Sequence, residues 1–113
     1  MCNKDTLNTI LRRVCERAKS QFGNQLSSVI LYGSYAREDY DDESDIDVMV
    51  IVDLPASKIK EFNRVFSDFS LELDLRYDVV LSLLLQDKAT FERWKGSSPF
   101  FQNVLNEGVE FVA

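Results

Sequence analysis

The run Asp45-Ile-Asp-Val-Met-Val-Ile-Val52 constrains this chain more than any other segment. Its β-branched content favours an extended strand over a helix, and its apolar character marks that strand as buried. A second apolar run, Val29-Ile-Leu-Tyr32, reads as another buried strand and ends at Gly33-Ser34. Helical spacing surrounds both. Leu7, Ile10, Leu11, Val14, Ala18 and Phe22 recur three and four apart, which predicts an amphipathic helix over 7–22 with Gly23 as its stop. After Leu54-Pro55, the series Ile59, Phe62, Phe66, Phe69, Leu73 predicts a long helix to about Arg76. Residues 79–85 read as a third strand, 87–94 and 99–106 as short helices, and 109–112 as a terminal extended segment. A single helical turn is expected to open the polar stretch from Tyr35 to Ser44. The order α-β-β-α-β-α-α favours an α/β (α+β) fold, a small mixed sheet with helices packed on it. No two-residue turn joins the first two strands, so they need not be hairpin partners. Phe62, Phe66, Phe69, Phe91, Phe100 and Phe101 are expected in the core, and Trp94 either there or as a partner-facing anchor.

The 113 residues fit one domain, 1–113, and 45% apolar content excludes wholesale disorder. No apolar run approaches the roughly 20 residues a membrane span needs. The first residues, Met1 to Asp5, are polar and lead into nothing signal-like. Cys2 and Cys15 make no disulfide framework; read as thiols in a reducing cytosol, they set the expectation of a cytoplasmic protein. A formal net charge of −6 disfavours a nucleic-acid backbone as partner. Seven of the ten residues from Glu38 to Asp47 are acidic, so that stretch must be solvated or neutralised by cations. The chain has no histidine, which removes histidine triads, the usual zinc sites and histidine general bases. Its chemistry must run on carboxylates, hydroxyls, Lys and Arg, with or without a metal.

On a strand, residues two apart share a face, so Asp45 and Asp47 project side by side, roughly 7 Å apart at the backbone. Ile46, Val48 and Val50 point the other way, into the core. Two such carboxylates repel unless something positive lies between them, and a pair of Mg²⁺ ions roughly 4 Å apart is one solution, used in phosphoryl transfer. A solvated strand end with two inert aspartates is the alternative. Gly33 lets the chain turn sharply and brings backbone N–H groups close to a ligand. A helical turn beginning at Ser34 would make an anion site, the Ser34 hydroxyl would donate to a phosphate oxygen, and Arg37, one turn on, would clamp a phosphate. The alternative is a helix N-cap at Ser34.

Together, a buried strand ending in Gly33-Ser34 and, ten residues later, Asp45-x-Asp47 opening a second buried strand resemble the nucleotidyltransferase superfamily of DNA polymerase β and the kanamycin-type antibiotic-modifying enzymes. The spacing is similar to that of the minimal nucleotidyltransferases that pair with a HEPN-domain protein, and Arg37 matches the arginine of their Gly-Ser-x-Ala-Arg. The element order extends the resemblance over nearly the whole chain; the specific motif covers 29–52. The resemblance implies the polymerase β-like fold. It implies triphosphate over Gly33, Ser34 and Arg37, and Mg²⁺ on Asp45 and Asp47. It further implies a third carboxylate on a neighbouring strand, for which Asp78 in Tyr77-Asp-Val-Val80 is the candidate and Asp74 the reserve. Asp78 in a helix-to-strand turn, or paired with Arg76 at the surface, is the other reading. Glu38, Asp39, Asp41, Asp42 and Glu43 read as a solvated loop beside the metal site.

ATP is the donor that the resemblance implies, with AMP passed to a hydroxyl acceptor and pyrophosphate released. The chain is about as long as the catalytic core alone, so its active-site face is expected to be completed by something else. A HEPN-domain toxin carrying an acceptor tyrosine is the first expectation, making this chain an antitoxin of a toxin–antitoxin pair, in a homo- or hetero-oligomer. Two other classes stay open: a non-catalytic module that neutralises a partner by docking, and a small-molecule nucleotidyltransferase of the antibiotic-modifying kind.

Overall fold

In a computed structural model, residues 3–41 and 43–111 are described. Cys2, Asp42 and Val112, which the sequence reading placed among the thiols, the acidic loop and the terminal segment, lie outside them. Helix α1 (Lys4–Phe22) leads to β1 (Leu26–Tyr32), the single turn α2 (Ser34–Arg37) and β2 (Ile46–Val52). Then follow α3 (Ala56–Ile59), α4 (Asn63–Tyr77), β3 (Leu81–Asp87), α5 (Lys88–Trp94), α6 (Pro99–Glu107) and β4 (Val109–Phe111). The helix expected to run unbroken to Arg76 is α3 and α4 joined by a 3₁₀ turn at Lys60–Phe62. Phe62 in that turn and Phe66 just beyond it both meet Phe22 of α1, at ring-centroid distances of 4.7 and 5.5 Å.

The four strands lie in the order β3-β2-β1-β4. The first two strands do pair directly, antiparallel, across the long connection 33–45, while β2 and β3 run parallel through the α3–α4 crossover. Strand β4 closes the far edge antiparallel to β1, bonding there through Ser28, whose hydroxyl donates to Glu110 at 2.7 Å. The sheet is therefore mixed, as the element order implied.

Because β2 is central, it is buried from both sides. On one face Ile46, Val48, Val50 and Val52 pack with Val29 and Leu31 under Ile10, Leu11, Val14, Ala18 and Phe22 of α1 and Phe66, Phe69 and Leu73 of α4. On the other, Ile30, Met49 and Ile51 pack under Phe91 of α5 and Phe101 and Val104 of α6. Phe100 departs from its expected place in the core: one position round the helix from Phe101, it is 45% exposed and sits edge-on to Tyr32. Trp94 is exposed as well. Among the described residues no helix is long and apolar enough to cross a membrane.

Candidate active site

The polar end of the sheet is set by register. Tyr32, at the end of β1, lies opposite Asp47 of β2, and Ser82 of β3 lies opposite Asp47 on its other side. The three form a row on the face that carries Ile30, Met49 and Ile51, where the α5–α6 layer gives way to open surface. Asp45 precedes β2 by one residue and is exposed, whereas Asp47 is half-buried.

Gly33 is shaped by this row. Its φ of 76° and ψ of −156° belong to a conformation open essentially to glycine. A Cβ there would also collide with the Asp47 carboxylate, meeting Oδ2 and lying 3.2 Å from Cγ. The chain thus passes tightly over Asp47 and turns into α2. Gly33 takes the cap position of that turn, and its carbonyl accepts from the N–H groups of Ala36 and Arg37, both at 3.1 Å. No side chain caps α2, so Ser34 is its first helical residue and not its N-cap. Tyr35 folds beneath and stacks on Tyr40 at 4.1 Å, which anchors the start of the acidic connection. Glu38 ends the turn in a left-handed conformation, and Glu38, Asp39, Asp41 and Glu43 are exposed.

Electrostatics sets Asp47 apart. Burial, and then the neighbouring Asp45 charge, push the Asp47 carboxyl above its ordinary value, while Arg37 pulls it back in part. Burial and the Asp47 charge likewise raise the Tyr32 phenol. Among the described residues neither Asp45 nor Asp47 enters an ion pair. Two adjacent carboxylates, one partly desolvated and neither held in an ion pair, fit a divalent cation with oxygen ligands. Arg37 is exposed and engaged: its Nε donates to Asp39 at 3.1 Å and its Nη1 to Glu107 at 2.9 Å.

The expected third carboxylate is not gathered with the pair. Asp78 ends α4 in the left-handed conformation (φ 54°, ψ 54°) and is exposed, before β3 has begun. Strand β3 starts at Leu81 and not at Val79 because the helix end takes up the intervening bonds. The Val79 N–H goes to the Asp74 carbonyl, and the Leu81 N–H goes to the Asp74 carboxylate at 2.7 Å. Asp74, the reserve, is thereby committed to the corner. Among the described residues no three acidic or cysteine side chains form a metal-binding group. Sequence reasoning passed over Tyr32 and Glu107. The pairing of Tyr32 with Asp47 depends on β1 and β2 being direct neighbours across the long connection 33–45, and nothing local links Glu107 to a residue 70 positions away.

Both the sequence and the α/β scaffold of this order have counterparts among known proteins. Residues 7–103 match the family model described as a nucleotidyltransferase domain. The chain belongs to the nucleotidyltransferase family. Two proteins of Methanocaldococcus jannaschii, each named "Putative protein adenylyltransferase", are similar to it. One is 37% identical over 90 residues, 80% of this chain and 82% of its own length. The other is 38% identical over 89 residues, 77% and 80%. Among solved structures, a mutant of the toxin–antitoxin complex MntA-HpeT contains a chain that superimposes with a TM-score of 0.54 at 18% identity, over 87% of this chain and 69% of that one. A toxin–antitoxin structure with AMP-PNP gives 0.53 at 19% identity over the same shares. At those identities the likeness is one of fold.

Proposed function

We propose that this nucleotidyltransferase transfers AMP from ATP to a hydroxyl of a partner protein, first of all a tyrosine of a HEPN-domain toxin, and so acts as the antitoxin of a toxin–antitoxin pair. The observation that carries the reading is the Gly33 turn packed on Asp47, which sets a backbone cradle beside the Asp45–Asp47 pair. The names of the Methanocaldococcus relatives favour a protein acceptor over an antibiotic. The likeness of fold to the toxin–antitoxin structures favours a toxin as that protein, and the AMP-PNP complex favours ATP as donor.

In this scheme the triphosphate lies over Gly33 and Ser34. Backbone N–H groups and the Ser34 hydroxyl donate to its oxygens, and Arg37 offers the N–H groups that its acidic partners leave free. Asp45 and Asp47 would hold Mg²⁺. When bound, it neutralises charge on the phosphate oxygens and acidifies the acceptor hydroxyl. The acceptor oxygen bonds to the α-phosphorus in line, the α–β bridging bond breaks, pyrophosphate departs and the acceptor proton passes to solvent. Positioning and charge compensation supply the rate, so no histidine is needed.

The test is incubation with α-labelled ATP, Mg²⁺ and the product of the neighbouring gene, beside an Asp45→Asn, Asp47→Asn protein. Label on the partner with the wild type alone is the expected result. Partner bound equally by both proteins and never labelled would leave a docking module, and label on an aminoglycoside instead would identify a small-molecule enzyme.

A further inference from the structure

Arg37 closes α2 and Glu107 closes α6, and the two meet at the mouth of the site through a 2.9 Å contact between Nη1 and Oε2. On the other side Asp39 Oδ2 takes the Nε at 3.1 Å. A guanidinium has five N–H donors, so this clasp fixes its plane and leaves three for a ligand. The fixed group lies near enough to Asp47 to bias its carboxyl towards the charged form. Glu107 reaches it from a helix that is anchored independently. Phe101 and Val104 of α6 are buried against Ile30, Met49 and Ile51, and Phe100, two helical turns before Glu107, rests on Tyr32. Gly108 then packs so closely on Ile30 that a Cβ there would lie 2.5 Å from its Cγ2. Helix α6 therefore does not depend on Glu107 for its place. An ion pair with side chains 43% and 31% exposed also adds little to stability. What Glu107 does accomplish is to set the direction in which Arg37 points.

We propose that Glu107 is a positioning residue for the nucleotide, holding the Arg37 guanidinium, with Asp39, in the orientation that meets the polyphosphate beside Asp45 and Asp47. The inference rests on the reading of Arg37 as a phosphate ligand and extends it to α6, whose end becomes part of the nucleotide site. An arginine freed from its clasp samples many rotamers, and binding must then order it again, which weakens affinity without touching the reacting atoms.

The experiment measures Mg²⁺·AMP-PNP affinity by calorimetry, and KM and kcat for ATP, in wild type, Glu107→Ala, Glu107→Gln, Arg37→Ala and the Arg37→Ala, Glu107→Ala double variant, with melting temperatures alongside. Glu107→Ala is expected to weaken AMP-PNP binding and raise KM by about threefold to fivefold, the scale of an exposed ion pair, with kcat and melting temperature retained. Glu107→Gln, which keeps an acceptor oxygen, should recover part of the loss. In the Arg37→Ala background, removing Glu107 should add nothing. Losses that simply add in the double variant, or an unaltered affinity in Glu107→Ala while Arg37→Ala binds weakly, would overturn the inference and leave the phosphate reading of Arg37 intact. Wild-type affinity in Arg37→Ala would overturn both.

Discussion

The two ends of strand β2 are built to opposite rules. From Val48 to Val52 every side chain is buried, alternately under α1 and α4 and under α5 and α6. At the other end, Asp47 and Asp45 carry the same face out of the α5–α6 layer, and Asp47 is half-buried with no ion-pair partner among the described residues. One end supplies the cohesion that makes the position of the other reproducible. A carboxylate pair on a loop would relax apart, whereas at the start of a central strand it is held together against its own repulsion.

The difference can be broken from either end. Asp45→Asn with Asp47→Asn is expected to lower transfer on the order of a thousandfold while the protein still folds, because charge compensation at the phosphates is the main catalytic contribution. At the opposite end, Met49→Ala should cost about 3 kcal/mol of stability in denaturant titrations, the range for a large side chain removed from a closed core. Residual folded protein should keep its nucleotide affinity. An Asp pair whose loss unfolded the chain, or a Met49 variant that lost only activity, would erase the distinction.

Gly33 sits where the two regimes touch. Gly33→Ala forces a left-handed φ on a residue with a Cβ and drives that atom into Asp47. Transfer is expected to fall about a hundredfold through displacement of the carboxylate. The accompanying loss of stability, about 1–2 kcal/mol, should be smaller than that of Met49→Ala.

How far the sequence could be read follows the same division. The elements were legible because alternation and helical spacing report burial, and β2, β1 and α1 bury most. That Asp45 and Asp47 lie together was legible because strand periodicity fixes which residues share a face, and the turn at Gly33 because glycine alone takes such a φ freely. What was not legible depended on chain geometry at corners. The left-handed end of α4 leaves Asp78 exposed at the helix cap, short of β3, and Tyr77-Asp-Val-Val80 contains no glycine to announce it. Phe100 and Phe101 are adjacent and chemically alike, so only the packing of α6 shows which one is buried. The clasp of Glu107 on Arg37 joins two helix ends that no local pattern relates.

Two smaller effects sharpen the comparison. Asp78→Asn is expected to keep transfer within about threefold of wild type, since an exposed helix-end carboxylate outside the pair contributes little charge there. A loss as deep as that of Asp47→Asn would show that Asp78 joins the pair when nucleotide binds. The smallest effect concerns stability. Because burial raises the folded-state pKa of Asp47, the folded protein holds that proton more tightly than the unfolded chain. The stabilisation this gives is complete below the unfolded value and disappears as pH rises through the folded one. At neutral pH without metal, Asp47→Asn should therefore melt slightly above wild type. The gap should close as pH falls through the carboxylate range, and saturating Mg²⁺ should raise the wild type alone.

The measurement that tests the account most directly is a crystal structure with Mg²⁺ and AMP-PNP. The account predicts metal on Asp45 and Asp47, phosphates over Gly33 and Ser34, and Arg37 still held by Glu107 while it contacts a phosphate oxygen. A groove of about 450 Å³ between α4 and β3, lined by Ser67, Ser70, Leu71 and Leu83, offers an alternative cleft. Nucleotide found there, with Asp45 and Asp47 left without metal, would contradict it.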